Sequence, residues 1–103
     1  MTYSLIDPLL RDWAHRHSLK LINSFAGREE RFCYVSSSRG ECFQISIDSP
    51  ENDGVNVNAW SVETLDDKEM HQQWAVAIPQ LEQALQAAFE TVRGWMKRDI
   101  VER

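Results

Sequence analysis

The strongest constraint on the fold is an apolar stripe in the last third of the chain. Leu81, Leu85, Ala88, Phe89, Val92, Trp95 and Met96 recur at i, i+4, i+7, i+8, i+11, i+14 and i+15. That spacing is one face of a 3.6-residue repeat. Gln80, Glu82, Gln83, Gln86, Glu90 and Arg93 take the opposite face, and Pro79 suits the first turn, where a missing N–H costs nothing. A long helix with a single apolar stripe draws most of its stability from packing, so the rest of the chain must supply a surface for it to cover.

The pattern predicts a sheet for that surface. Asp7-Pro8 starts a first helix, with Asp7 as capping carboxylate. Leu9, Leu10, Trp13 and Ala14 continue it, and His15-Arg16-His17 closes it where cationic side chains meet exposed carbonyls. The period then drops to two. Leu19, Leu21 and Phe25 alternate with Lys20, Ile22 and Ser24; Phe32 and Tyr34 alternate with Cys33 and Val35; Phe43, Ile45 and Ile47 share one face of a third strand. The polar Ser36–Gly40 connection makes a hairpin of the last two strands, and pairing Phe32 with Phe43 would set Cys33 opposite Cys42. Ser49–Gly54 is a loop. Val55, Val57 and Ala59 follow on one parity and Trp60 and Val62 on the other, which a bulge near Ala59–Trp60 or a strand edge with one exposed aromatic would explain. Thr64–His71 is polar and acidic without regular burial.

The expected fold is therefore α+β: an N-terminal helix, an antiparallel sheet of three to four strands, and a long C-terminal helix. At 103 residues and 43% apolar, the chain has enough for one core, so 1–103 reads as a single domain. Two amphipathic helices laid over Phe32, Tyr34, Phe43, Ile45 and Ile47 would make a two-layer sandwich. The other face of the sheet would carry Gln44, Ser46, Asn56, Asn58 and Trp60 toward water.

Charge narrows the function. Between residues 41 and 69 stand eight acidic side chains and one basic, Lys68, a net of −7. The whole chain is −5, so the remainder carries +2. With a pI near 5.1 the chain lacks the clustered Lys and Arg that neutralise phosphate, which argues against nucleic acid and anionic membrane as partners. No stretch nears the roughly 18 apolar residues of a membrane span, and MTYSLIDPLLRDWAHRH lacks the pattern of a secretory signal. Two cysteines make no disulfide framework, so the expectation is a cytoplasmic protein with reduced thiols.

Chemical constellations are thin. Glu51, Asp53 and Gly54 sit at calcium-loop offsets, but the closing glutamate position falls on Trp60, and an Asp-Gly turn between strands is the better account. Asp66, Asp67, Glu69 and His71 match no metal-ligand spacing, and His15 and His17, two apart, lie on different sides of a helix. No nucleophile elbow, Walker loop or dinucleotide fingerprint occurs. The chain is expected to be no enzyme and to hold no metal and no cofactor. Trp13 and Trp95 fall on helical stripes and belong to the core; Trp74 is ambiguous. Trp60, flanked by Asn58, Ser61 and Glu63, suits an interface anchor or a packed edge-strand residue.

ECFQISID, the acidic glycine loop, VNVNAWSVE and LEQALQAAFETVRGWMKR, in that order, resemble small bacterial immunity proteins, the antidotes of polymorphic toxins and of contact-dependent growth inhibition systems. The resemblance spans residues 10 to 98 and rests on order, size and acidity. It implies a cytoplasmic protein that binds a cognate toxin's C-terminal domain, often a nuclease, as a monomer when free and 1:1 in the complex. Independently of it, an acidic surface suits a partner that presents Lys and Arg to phosphate. The expected partner-binding residues are Asp48, Glu51 and Asp53 in the loop, Trp60 and Glu63 on the next strand, and Asp66 and Asp67 beyond it. An acidic secretion chaperone, which should dimerise, and a small metal-dependent enzyme built around Asp66, Asp67 and His71 are the alternatives.

Overall fold

The computed structural model describes residues 3–100. A 3-10 turn at Tyr3–Leu5 leads into helix α1 (Asp7–Arg16). Strands β1 (Ile22–Phe25), β2 (Arg28–Ser36), β3 (Cys42–Ile47), β4 (Gly54–Glu63) and β5 (His71–Ala77) follow, then a 3-10 turn at Ile78–Gln80 and helix α2 (Leu81–Met96). The strands form one open antiparallel sheet in chain order. The α+β class and both helices match the sequence reading; the three-to-four-strand sheet does not. The fifth strand is His71–Ala77, in which Trp74 and Val76 alone mark the apolar face. An edge strand needs pairing on one side only, and its pattern is correspondingly faint. Val57 opposite Trp74 and Val55 opposite Val76 put those two side chains on the core side.

The core lies between one face of this sheet and the helices. Phe43, Ile45, Ile47, Val55, Val57 and Ala59 alternate inward from β3 and β4 and are buried. Leu81, Ala84, Leu85, Ala88 and Val92 of α2 join the same cluster, as do Leu10, Trp13 and Ala14 of α1. Phe89, Trp95 and Met96 lie partly buried at its margin. The helices also meet directly: His17 packs on Phe89 with ring centroids 4.2 Å apart, and Arg16 pairs with Glu82 at 3.0 Å.

The expected register of the β2–β3 hairpin is wrong by three residues. Cys33 pairs with Ile45, Tyr34 with Gln44, Val35 with Phe43 and Ser36 with Cys42. An odd shift turns a strand over, so Cys33 and Val35 enter the core while Phe32 and Tyr34 face the other way. Arg31 supplies the physical reason. It shares the inward side with Cys33 and Val35 and is only 6% exposed. Its Nε and Nη2 donate to Asp7 Oδ1 and Oδ2 at 2.7 and 3.1 Å, and its guanidinium stacks over the Tyr3 ring at 4.4 Å. Asp7 is thus no helix cap: α1 has no side-chain cap bond, and the carboxylate serves Arg31 instead. Tyr3 Oη donates to the Ile47 carbonyl at 3.0 Å, which seats the N-terminal turn against β3.

Two further expectations change. No bulge interrupts Ala59–Trp60; Trp60 pairs in register with Gln44, and the irregularity comes later, where Phe43 meets Ser61 and Cys42 meets Glu63. Cys33 and Cys42 are not opposite one another and are both free. Burial pushes the Cys33 thiol up to about 12, so it carries little thiolate at neutral pH.

Leu85 is fully buried under the sheet. Leu85→Ala should cost on the order of 2–5 kcal/mol in urea melts, and a loss below about 0.5 kcal/mol would mean that this stripe does not pack as described.

Candidate functional site

With both helices on one face, the other face of the sheet is left open, and the inverted β2 gives it an aromatic half. Tyr34, Gln44, Trp60 and His71 stand in one row across β2, β3, β4 and β5. Phe32, Ser46 and Asn58 form the next row. Phe25 meets Phe32 edge-to-face at 6.0 Å, and Phe32 meets Tyr34 edge-to-face at 5.5 Å, the arrangement that ring quadrupoles favour. Trp60 leans on His71 at 6.4 Å and is half-buried. Phe25 and Tyr34 remain 59% and 45% exposed, whereas Phe32 beside them is 6% exposed. These rings border a concavity of about 320 Å³, floored by Gln44 and Ser46 and closed at one end by Glu30 and Asp48.

The seven expected binding residues do not form one surface. Asp48, Glu51 and Asp53 sit at the β3–β4 end of the sheet, beside a second, wider hollow reaching Ala75–Ala77. Glu63, Asp66 and Asp67 lie at the far end of β4, about 30 Å away by strand rise. Only Asp48 and Trp60 come together on the open face. The Glu51–Gly54 turn explains the first group: Glu51 and Gly54 exchange backbone hydrogen bonds at 2.9 Å, with Asn52 and Asp53 at φ of 52° and 63°. That is a tight hairpin turn with two left-handed residues, so its central pair is Asn52-Asp53 rather than Asp53-Gly54.

At the other end Arg98 gathers the charge. Its Nη1 and Nη2 donate to Glu41 Oε1 and Oε2 at 3.1 and 2.7 Å, and Nη2 also reaches Asp66 Oδ1 at 2.7 Å. Nη1 donates to the Trp95 carbonyl as well, so the same side chain closes the C-terminal end of α2. Glu41, 1% exposed, further accepts the Leu65 N–H at 3.1 Å. The Arg98 guanidinium holds both Glu41 and Asp66 below the usual carboxylate range. Asp66 is therefore an internal tether rather than a free docking charge. Among the described residues no three His, Cys, Asp or Glu side chains converge as metal ligands, and His71 faces Trp60 rather than Asp66.

The sequence reading missed Phe25, Glu30, Phe32 and Tyr34 as members of this face. No local signal points to them: Arg31, in phase with Cys33 and Val35, argues for turning that side outward, and only Asp7, 24 residues away, reverses the inference. Compared with known protein families, curated proteins and solved structures, the chain matches none.

The Arg98 tether predicts a pH signature. Glu41 and Asp66 have folded pKa values below their ordinary 4.5 and 3.8, so their contribution is fully present above those values and is lost as pH falls through the folded ones. Arg98→Ala leaves the buried Glu41 only Arg39, 3.6 Å away, and the Leu65 N–H, and should cost about 3 kcal/mol at pH 7. Urea midpoints of the wild type should drop between pH 6 and pH 3, and the variant should show a smaller drop from its lower start. Equal slopes for both would remove Arg98 as the partner of these acids.

Proposed function

We propose that the chain is a non-catalytic binding protein that captures and neutralises a basic toxin domain, a nuclease being the best match, in the cytoplasm and as a 1:1 complex. The observation that supports this reading is the open sheet face, where Phe25, Tyr34 and Trp60 stand accessible beside Glu30 and Asp48. Exposed rings on a rigid sheet give large contact area for little ordering cost, which is how binding hot spots are built. Carboxylates at the margin add attraction for Lys and Arg, and a nuclease must display those to hold phosphate. No helix among the described residues is long and apolar enough to cross a membrane.

The proposed surface differs from the one expected from sequence. Trp60 stays at its centre, joined by Phe25 and Tyr34, with Asp48 and Glu30 at one end; Glu51 and Asp53 become its rim. Glu63 and Asp67 lie at the far end, and Asp66 is left to Arg98.

Binding kinetics with a toxin domain encoded directly upstream of this gene test the proposal. Trp60→Ala should speed dissociation by about 30-fold, a loss of about 2 kcal/mol, with little change in association. Glu51→Lys, at the rim, should mainly slow association and weaken its salt dependence. If Trp60→Ala and Tyr34→Ala both bind and protect cells like wild type, this face is not the inhibitory surface.

A further inference from the structure

The concavity on the open face has a specific chemistry. Tyr34 and Trp60 flank Gln44 on neighbouring strands, so their backbones stand about 10 Å apart, two inter-strand spacings. Between two such walls there is room for one slender side chain, with Phe32 beneath one side and Gln44 and Ser46 as a polar floor. At the end of this trough Glu30 on β2 and Asp48 beyond β3 face the same space. Continuing the β2–β3 register from Phe32 and Ser46 sets these two carboxylates opposite one another, an arrangement that like charges disfavour.

These acids are poorly matched within the chain. Glu30 has an ion pair with Arg28 at 3.9 Å, on an arginine side chain 76% exposed. Asp48 accepts one long hydrogen bond, 3.4 Å from Asn58 Nδ2, and among the described residues no ion pair engages it. The contrast is with Glu41, Asp66 and Asp7, each held by a guanidinium at 2.7 Å.

The geometry points to a receptor for one arginine side chain of a protein partner. The partner's backbone would cross the sheet at Tyr34 and Trp60, the methylene stem would run along the strands over Ser46 beside Phe32, and the guanidinium would bridge Asp48 and Glu30. Arginine fits better than lysine. Its planar fork offers five donors to two carboxylates on separate strands and stacks on aromatic rings, whereas an ammonium is a compact, strongly hydrated point charge. This assignment rests on the reading that the open face binds a basic protein, and it names the side chain that would anchor that partner.

The test uses the full chain labelled with nitrogen-15 and the peptide acetyl-Gly-Arg-Gly-amide, with its citrulline and lysine counterparts as controls. The arginine peptide should shift the Trp60 indole N–H, identified by its loss in Trp60→Phe, together with the Gln44 and Ser46 amides, and the shifts should saturate. Lysine should bind several-fold more weakly, and citrulline, isosteric but neutral, should give no saturable shift. Asp48→Asn combined with Glu30→Gln should weaken binding at least tenfold while the spectrum stays dispersed; should that pair fail to fold, Asp48→Asn alone should still weaken binding severalfold. No saturable shift, an equal response to citrulline, or undiminished binding by the carboxylate variants would each overturn the assignment. If the arginine peptide binds and no toxin domain does, the receptor stands and the neutralising role falls. If a toxin domain binds and the peptide does not, only the receptor falls.

Discussion

The ion pair between Asp7 and Arg31 determines which side of β2 is inside, and the character of both sheet faces follows from that choice. A buried guanidinium without a partner would cost several kcal/mol, so the strand could not present Arg31 inward unless a carboxylate met it there. Asp7 does so with two hydrogen bonds, and Tyr3 covers the flat of the cation. Once Arg31 is inward, period two carries Cys33 and Val35 into the core and turns Glu30, Phe32 and Tyr34 out. The N-terminal segment therefore acts on the site without touching it: it fixes the face on which three of the site's side chains stand.

The same device recurs at the other end of the molecule. Arg98, just past α2, ties Glu41 before β3 to Asp66 before β5. Arg39 adds to this corner, donating to the carbonyls of Met96 and Arg98. Two guanidiniums thus close the sheet onto its helices at opposite ends, with the apolar core between them. The local charge excess of the 41–69 window is reduced by this internal matching. Glu41 and Asp66 are matched by Arg98 and Arg39, both outside the window, and what is left divides between two ends of β4. A net charge counted along the sequence overstated how much acidity any single surface presents.

How much was legible follows from how local each signal is. The α2 stripe and the alternation in β3 and β4 are written in neighbouring residues, so the fold class, the helices and the polar side of β3 and β4 could be read. Trp60 was placed on that polar side from its own neighbours. Register was not legible, because β2 is apolar on both parities. Phe32 and Tyr34 are as hydrophobic as Cys33 and Val35, and the deciding residue, Arg31, answers to Asp7 across 24 positions. β5 was lost for a different reason: Gln72, Gln73, Ala75 and Ala77 carry weak strand preference, and pairing with β4 rather than propensity makes the strand. The half of the site that was missed lies on β1 and β2 and depends on the first of these long-range facts, the pairing of Arg31 with Asp7.

A two-layer protein always leaves one sheet face in water, and the manner of its furnishing separates folding needs from other uses. Over β4 and β5 this chain does what folding alone requires, with Asn56, Asn58 and Gln73 facing out. Over β1 and β2 it places three aromatic rings where polar residues would satisfy the sheet equally well. Phe32 is buried by its neighbouring rings, not by a helix, so the cluster adds little to the core that α2 covers. Exposed apolar area of this kind carries a solubility cost and is rarely retained without a partner to cover it. The division runs along β3, where Gln44 and Ser46 separate the aromatic half from the amide-rich half and leave room beside Trp60. On one continuous, rigid sheet, that boundary is where an apolar contact and a polar one can be made by the same incoming side chain.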